Sequence, residues 1–168
     1  CSSDLHGVTF SGGGEQVSEL AILGDCGKQS GTRVRAWPDP KYCASPKVPQ
    51  AELERLLRSK AVLLPGVKVT FIQEKSGETQ SWLYEQGLRG YLNEALAQGG
   101  SGATLIPLFE GEQYAGADAE GFAEGEGAAW VVAWTEDGTI VRESYVNLIP
   151  TPAGGTHESG LREGLFSA

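Results

Sequence analysis

GDCGKQSGTRVRAWPDP, residues 24–40, is the stretch from which the fold of this chain is inferred. Its first half contains Gly27 and Lys28, the pair at the centre of a phosphate-binding P-loop, G-x-x-x-x-G-K-[ST]. The pattern fails on both sides, because Ile22 stands where the first glycine is required and Gln29 stands where a hydroxyl would bind Mg²⁺. We therefore interpret the first half of the stretch as a turn-rich loop that leads into a strand.

The second half of this stretch predicts a β-strand. Along residues 32–37 the side chains alternate in character from one residue to the next, as in a strand. The run ends abruptly at residues 38–40, which read Pro-Asp-Pro. On the N-terminal side, residues 8–10 and 17–23 predict two further strands, separated by a turn at residues 11–14.

Two amphipathic helices are predicted next along the chain. Residues 49–64 carry an apolar stripe at three- and four-residue spacing, and Pro65 ends the helix. On its outer face, Glu54 and Arg58 are predicted to form an i,i+4 ion pair. A second helix is predicted at residues 86–98. The intervening segment predicts strands at residues 67–72 and 80–84.

A glycine-rich linker at residues 99–103 divides the chain into two predicted domains, residues 1–98 and 104–168. Both are predicted to be α+β layers. Residues 1–5 are interpreted as non-native and are left out of the fold prediction.

The second domain is predicted to open with a hairpin and to end in a helix. Residues 110–127 are rich in glycine and acidic residues, which is typical of a mobile surface loop. Residues 128–135 and 140–149 are predicted to pair through an Asp-Gly turn at residues 136–139. Thr156 is predicted to be the N-cap of the last helix.

Composition limits the function classes. The 168 residues carry a formal net charge of −9, which disfavours a free-standing DNA-binding domain because DNA phosphates are repelled. No apolar run approaches the roughly 18 residues of a membrane span. The three cysteines include no CxxC pair, so a disulfide framework and a zinc site are not expected, and a reducing cytoplasm fits best. The absence of methionine indicates a processed chain or a piece of a longer one.

Few residues can be assigned a catalytic or metal-binding role from the sequence pattern alone. His6 and His157 are the only histidines, and no Ser–His–Asp order is present. Glu120, Glu124 and Glu126 could form a metal site, but a solvated acidic loop is the simpler interpretation. No catalytic residue and no metal ligand are predicted.

Three motifs together resemble one family. They are GDCGKQSGTRVRAWPDP at residues 24–40, KAVLLPGVKVTF at residues 60–71 and ESYVNLIPTPAGGTHESGLREGL at residues 143–165. In this order they are similar to the ATPase subunit of bacterial type IIA DNA topoisomerases. The resemblance extends over nearly all of residues 9–168, and the last motif favours the topoisomerase IV branch over the gyrase branch. It implies the C-terminal part of a GHKL-type ATPase sandwich followed by the beginning of a ribosomal-S5-like transducer domain.

The resemblance also implies roles for particular residues. Thr32 would face the adenine of ATP through a water and a carboxylate, and Val34 would lend apolar contact to the base. Without the resemblance, Thr32 would be interpreted as an ordinary strand residue. Five residues are implied to act in transducer coupling; they are Gly154, Gly155, Thr156, His157 and Arg162. A capped helix with a surface arginine explains the same five residues equally well.

For the longer protein, the resemblance implies binding of ATP and Mg²⁺, homodimerisation through the ATPase domain, and action on DNA with the DNA-cleaving partner of topoisomerase IV. It implies a cytoplasmic, nucleoid-associated enzyme with no membrane partner. The family's catalytic glutamate, Mg²⁺-binding asparagine, ATP lid and γ-phosphate lysine are not found in these residues. We therefore expect this chain alone neither to bind ATP measurably nor to hydrolyse it. The B subunit of gyrase and a non-catalytic α+β interaction module remain the alternatives.

Overall fold

The structure is a computed structural model that describes residues 4–45, 47–98, 107–135 and 140–167. The chain divides into two compact units, Cys1–Pro49 and Gln50–Ala168. The predicted linker at residues 99–103 lies outside the described residues. The assignment of residues 1–98 and 104–168 to two domains therefore stays a prediction.

The first unit contains four short strands, β1 (Asp4–Gly7), β2 (Phe10–Ser11), β3 (Gln16–Val17) and β4 (Ala21–Asp25). Strand β1 pairs antiparallel with β4, and β2 pairs with β3 around a 3₁₀ turn at Gly12–Gly14. Leu5, which the fold prediction does not include, pairs with Gly24 in the first of these ladders. Large apolar side chains of the strands are exposed, Ile22 and Leu23 among them.

The strand predicted at residues 32–37 is wrong, because the structure gives these residues no regular secondary structure. A strand is held by ladder hydrogen bonds to a neighbour, and none of the described strands pairs with this segment. Without a neighbour, the alternating side chains have no face to bury, and Val34 is 82% exposed. The guanidinium of Arg35 lies over the ring of Trp37, with Cζ 5.5 Å from the centroid.

The second unit begins with two helices that enclose a hairpin in sequence: α1 (Gln50–Leu63), β5 (Val69–Gln73), β6 (Glu78–Trp82) and α2 (Gly87–Gln98). The bounds match both predicted helices to within one residue, and the predicted strands are found with shifts of about two residues. Ala61, Val62, Leu92 and Leu96 are the buried apolar residues of the described chain, so the core lies where the helix stripes meet.

The next strands pair differently from the prediction. Strand β7 (Leu108–Tyr114) pairs antiparallel with β8 (Gly127–Ala133), so residues 110–114 are strand and not loop. The predicted pairing of residues 128–135 with residues 140–149 is therefore wrong. Its Asp-Gly turn lies outside the described residues. The physical reason is steric fit, because Trp130 packs over Gly111 across the ladder, where a Cβ would lie 2.7 Å from the indole.

The chain ends in a small hairpin followed by a helix. Strands β9 (Tyr145–Val146) and β10 (Ile149–Pro150) pair with each other, and α3 spans Thr156–Ser167. The final helix is thus found where it is predicted. None of the helices in the described residues has the length and hydropathy that a membrane span requires.

Candidate functional site

The two residues predicted to contact adenine are exposed in the first unit. Thr32 and Val34 lie in the irregular segment after β4, and neither lines the two cavities described below. No cluster of three or more His, Cys, Asp or Glu side chains in the described part of the chain is arranged to hold a metal ion. The described residues therefore do not fit a complete ATP or Mg²⁺ site, and the roles of Thr32 and Val34 stay predictions.

The second unit contains a polar cluster between its two long helices. Arg58 of α1 donates from Nε to the Tyr84 hydroxyl at 2.9 Å, and its Nη2 lies 3.1 Å from Glu94 Oε1 of α2. The Tyr84 hydroxyl donates to Glu94 Oε2 at 2.6 Å. The hydrogen bond from Tyr84, followed by the charge of Arg58, holds the pKa of Glu94 below its ordinary value. Arg58 thus pairs with Glu94, and the predicted pair with Glu54 is wrong, since Glu54 accepts from Gln50 instead.

Tyr91 of α2 extends this cluster toward the end of the chain. Its ring contacts Tyr84 edge-to-face, with centroids 6.0 Å apart, and Arg58 Cζ lies 5.0 Å from its centroid. Its hydroxyl donates to Glu143 Oε1 at 2.8 Å. The Tyr91 side chain is thereby tied both to the helix pair and to the segment that precedes β9.

Glu143 accepts a second hydrogen bond, from the hydroxyl of Tyr145 in β9 to its other oxygen. Burial, and then the hydrogen bond to Glu143, raises the pKa of Tyr91 to about 12. The same two causes raise the pKa of Tyr145. A tyrosinate beside a carboxylate would place two negative charges in contact, so both phenols remain neutral donors at physiological pH.

The β9–β10 hairpin has a second attachment to the helices. Its turn residues Asn147 and Leu148 have positive φ angles of 47° and 68°. The ammonium of Lys60, near the end of α1, donates to the Leu148 carbonyl oxygen. Since positive φ is unfavourable for a bulky residue, this cation stabilises a turn that the sequence alone does not favour.

Two cavities flank the Glu143 contacts. The larger has a volume of about 510 Å³ and lies between α1, β6 and the 143–145 segment, with Trp82 and Tyr91 in its wall. The smaller, of about 150 Å³, lies between the hairpin and the start of α3. Arg55, Glu143 and Tyr145 line both cavities.

Four of the five predicted coupling residues form the junction between the hairpin and α3. Gly154 has a φ of 75° and donates its N–H to the Thr151 carbonyl at 2.8 Å. The Gly155 carbonyl accepts from the Ser159 N–H at 3.1 Å, so Gly155 is the N-cap, and the N-cap predicted at Thr156 is displaced by one residue. His157 Nε2 lies 3.4 Å from Thr151 Oγ1.

An ion pair connects the segment before β9 to the first turn of α3 at this junction. Arg142 Nη2 donates to Glu158 Oε2 at 2.9 Å, and Glu158 stands in the first turn of α3, where the helix dipole also favours a negative charge. The hydrogen bond from Arg142 lowers the pKa of Glu158, and the charge of Arg162 adds to this effect. Arg162, the fifth predicted residue, is exposed on α3.

Sequence patterns miss the residues that connect the helix pair to this junction, which are Tyr84, Tyr91, Glu143 and Tyr145. The pattern places Tyr91 within the second amphipathic helix and Glu143 within a strand at the start of the third motif, and it predicts no contact between them. Since the Tyr91–Glu143 hydrogen bond joins residues 52 positions apart, no local spacing records it.

Comparison with known proteins finds similarity to the B subunits of DNA topoisomerases. A family model described as DNA gyrase B matches residues 87–168. The B subunit of DNA topoisomerase 4 from Pseudomonas aeruginosa is 43% identical over 163 residues, covering 96% of this chain and 24% of that protein. The corresponding protein of Escherichia coli is 40% identical over 166 residues, which cover 98% of this chain and 25% of that protein. The B subunit of DNA gyrase from Helicobacter pylori is 29% identical over 157 residues, which cover 92% of this chain and 19% of that protein. The chain thus spans about a quarter of the length of these topoisomerase 4 relatives.

A solved structure is also similar. It is the topoisomerase IV ATP-binding domain of Francisella tularensis in complex with a small-molecule inhibitor. The TM-score is 0.69 at 31% sequence identity, and the match covers 99% of this chain and 42% of that one. Together with the mixed helices and strands described above, this match confirms the predicted α+β fold class.

Proposed function

Because this chain belongs to the family of bacterial type IIA topoisomerase B subunits, we propose that it is part of the ATP-hydrolysing subunit of a topoisomerase IV. The longer protein would couple ATP binding and hydrolysis to DNA strand passage, decatenation and relaxation. The observation that carries this proposal is the 43% identity to the B subunit of a topoisomerase 4 over 96% of the chain. The B subunit of gyrase is the second candidate, supported by the 29% identity to a gyrase relative.

Within that protein, this chain would join the nucleotide-binding domain to the transducer domain. Helices α1 and α2 would belong to the ATPase side, and the β9–β10 hairpin with α3 to the transducer side. The Tyr91–Glu143 and Lys60–Leu148 hydrogen bonds would then connect the two sides directly. Gly154, Gly155, Thr156 and His157 would then position α3, and Arg162 would be available to meet the ATPase domain or DNA.

ATP and Mg²⁺ would bind to the longer protein, with residues outside this chain supplying the catalytic glutamate and the Mg²⁺-binding asparagine. Thr32 would contribute a hydroxyl toward adenine through a water, and Val34 an apolar contact. Both side chains are exposed here, so we expect this chain alone to show no measurable heat of ATP binding in calorimetry. Tight binding by the isolated chain would contradict this expectation.

The partners of the longer protein would be DNA, the DNA-cleaving A subunit of topoisomerase IV, and a second copy of the B subunit, contacted through the ATPase domain. Its location would be the cytoplasm, in association with the nucleoid. The net charge of −9 on this part indicates that other parts of the complex supply most DNA contacts.

The decisive experiment uses the complete gene product that contains this chain, mixed with its DNA-cleaving partner and catenated DNA. We expect decatenation that requires both ATP and Mg²⁺. Negative supercoiling of relaxed DNA would instead identify a gyrase. Absence of both activities, together with a reading frame that lacks the asparagine-bearing helix and glycine-rich lid, would support the non-catalytic interaction module.

A further inference from the structure

Glu143 is a shared acceptor between two structural elements. Tyr91 of α2 donates to its Oε1 at 2.8 Å, and Tyr145 of β9 donates to its Oε2. Each carboxylate oxygen thus serves one tyrosine. We propose that Glu143 is a positioning residue that holds the β9–β10 hairpin against α2, and that this contact transmits nucleotide turnover to strand passage. This inference rests on the proposed function and assigns its coupling to one side chain.

The helix side of this contact is held rigidly. The Tyr91 ring is fixed by Tyr84 at its edge and by Arg58 over its face, and Arg58 is held in turn by Glu94. All of these side chains come from α1, α2 or the segment immediately before α2. A donor that is locked by packing and by further hydrogen bonds defines the position of its acceptor to a fraction of an ångström.

The hairpin side connects Glu143 to the start of α3. The carbonyl of the next residue, Ser144, accepts the Thr151 N–H at 2.8 Å, and the hydroxyls of these two residues are 2.7 Å apart. The Thr151 carbonyl oxygen accepts from the Gly154 N–H at 2.8 Å, and Thr151 Oγ1 lies 3.4 Å from His157 Nε2. A displacement of Glu143 relative to α2 is therefore carried by consecutive hydrogen bonds to the first turn of α3.

The space beside Glu143 allows such a displacement. The cavity of about 510 Å³ lies between α1, β6 and the 143–145 segment, with Glu143 and Tyr145 on its wall. Close-packed interiors do not move gradually, but a contact that borders an open cleft can change without disrupting the core. Of the four core residues, Val62 lines this cavity, whereas Ala61, Leu92 and Leu96 do not.

The test replaces Glu143 in the complete protein, assembled with its DNA-cleaving partner, and measures ATP hydrolysis and decatenation separately. For Glu143→Ala, which removes both tyrosine hydrogen bonds, we expect unchanged ATP hydrolysis and more than about 10-fold less decatenation per ATP, since the loss of a single hydrogen bond to a charged group corresponds to about 10-fold. Glu143→Gln keeps one acceptor oxygen and should be intermediate. Tyr91→Phe removes one of these two hydrogen bonds and should lower decatenation per ATP by about 10-fold. Tyr114→Phe, on an exposed part of β7, is the matched control and should be unchanged.

Each result supports or overturns the inference. A proportional fall of ATP hydrolysis and decatenation in Glu143→Ala and Tyr91→Phe would overturn it, since it would indicate a purely structural role. Unchanged ATP hydrolysis together with unchanged decatenation in both variants would overturn it as well. If Glu143→Ala fails to fold, the near-isosteric Tyr91→Phe decides alone. A wild-type enzyme without ATP-driven strand passage would instead refute the proposed function itself, so the two failures are distinguishable.

Discussion

Replacing Gly154 by alanine tests whether the junction before α3 requires a residue without a side chain. Gly154 has a φ of 75°, in the left-handed region. A Cβ at this position would overlap Glu158 Oε2 and lie 3.0 Å from Arg142 Nη2. Alanine would therefore strain the backbone and also displace the carboxylate that pairs with Arg142.

The backbone part of this cost can be estimated. An L-residue in the left-handed region is disfavoured by about 1–2 kcal/mol relative to glycine. The Glu158 carboxylate pairs with Arg142, whose side chain is exposed to solvent, so displacing the carboxylate adds a smaller cost because solvent screens this ion pair. For a chain of this size, a loss of about 1.5 kcal/mol lowers Tm by about 5 °C.

Thermal unfolding followed by circular dichroism measures this change. Gly160→Ala is the matched control, since Gly160 lies within α3 with no atom close to the position of a Cβ. There we expect the opposite sign, a stabilisation of about 1 kcal/mol from improved helix propensity. When Glu158 is already replaced by alanine, Gly154→Ala should still destabilise the chain by its backbone cost. Only the smaller cost of displacing the carboxylate should be absent.

The reasoning would be refuted if Gly154→Ala were as stable as the wild-type chain while Gly160→Ala gave its expected increase. Such a result would mean that the 151–157 segment adopts a different backbone conformation from the one described. The connection from Thr151 to the first turn of α3 would then need to be reconsidered.

Three further predictions concern other parts of the second unit. Val62→Ala should destabilise the chain by about 2 kcal/mol in urea unfolding, because Val62 is 1% exposed and its removal leaves a cavity between α1 and α2; no change would mean that this core is not formed. Leu148→Gly should be less destabilising than Leu148→Ala by about 1 kcal/mol in the same assay, because both remove the side chain but only glycine relieves a φ of 68°; equal destabilisation would argue against the turn. The pKa of Tyr91 is raised from 10.0 to about 12, so the folded state binds this proton more tightly and the stability it contributes is complete below pH 10 and lost as pH rises through 12. Unfolding measured across this range should show a steeper loss for wild type than for Tyr91→Phe, and equal slopes would contradict the Tyr91–Glu143 hydrogen bond.

Sequence patterns determined the elements whose formation depends on local periodicity. Helices α1 and α2 are located to within one residue, because apolar residues at three- and four-residue spacing must bury one face. Helix α3 is located to within one residue by the N-cap predicted at Thr156. Three ordered motifs are also sufficient to identify the family, because each is a string of neighbouring residues.

Tertiary structure alone decided the contacts between distant residues. The alternation at residues 32–37 predicts a strand, but a strand requires a partner, and none of the described strands provides one. The partner of β8 was decided by the fit of Trp130 over Gly111. Glu143 meets Tyr91 across 52 positions of sequence. Periodicity indicates which face of a helix or strand is apolar. It contains no information about which polar side chain of another element will contact that helix or strand, because this contact depends on how the whole unit packs.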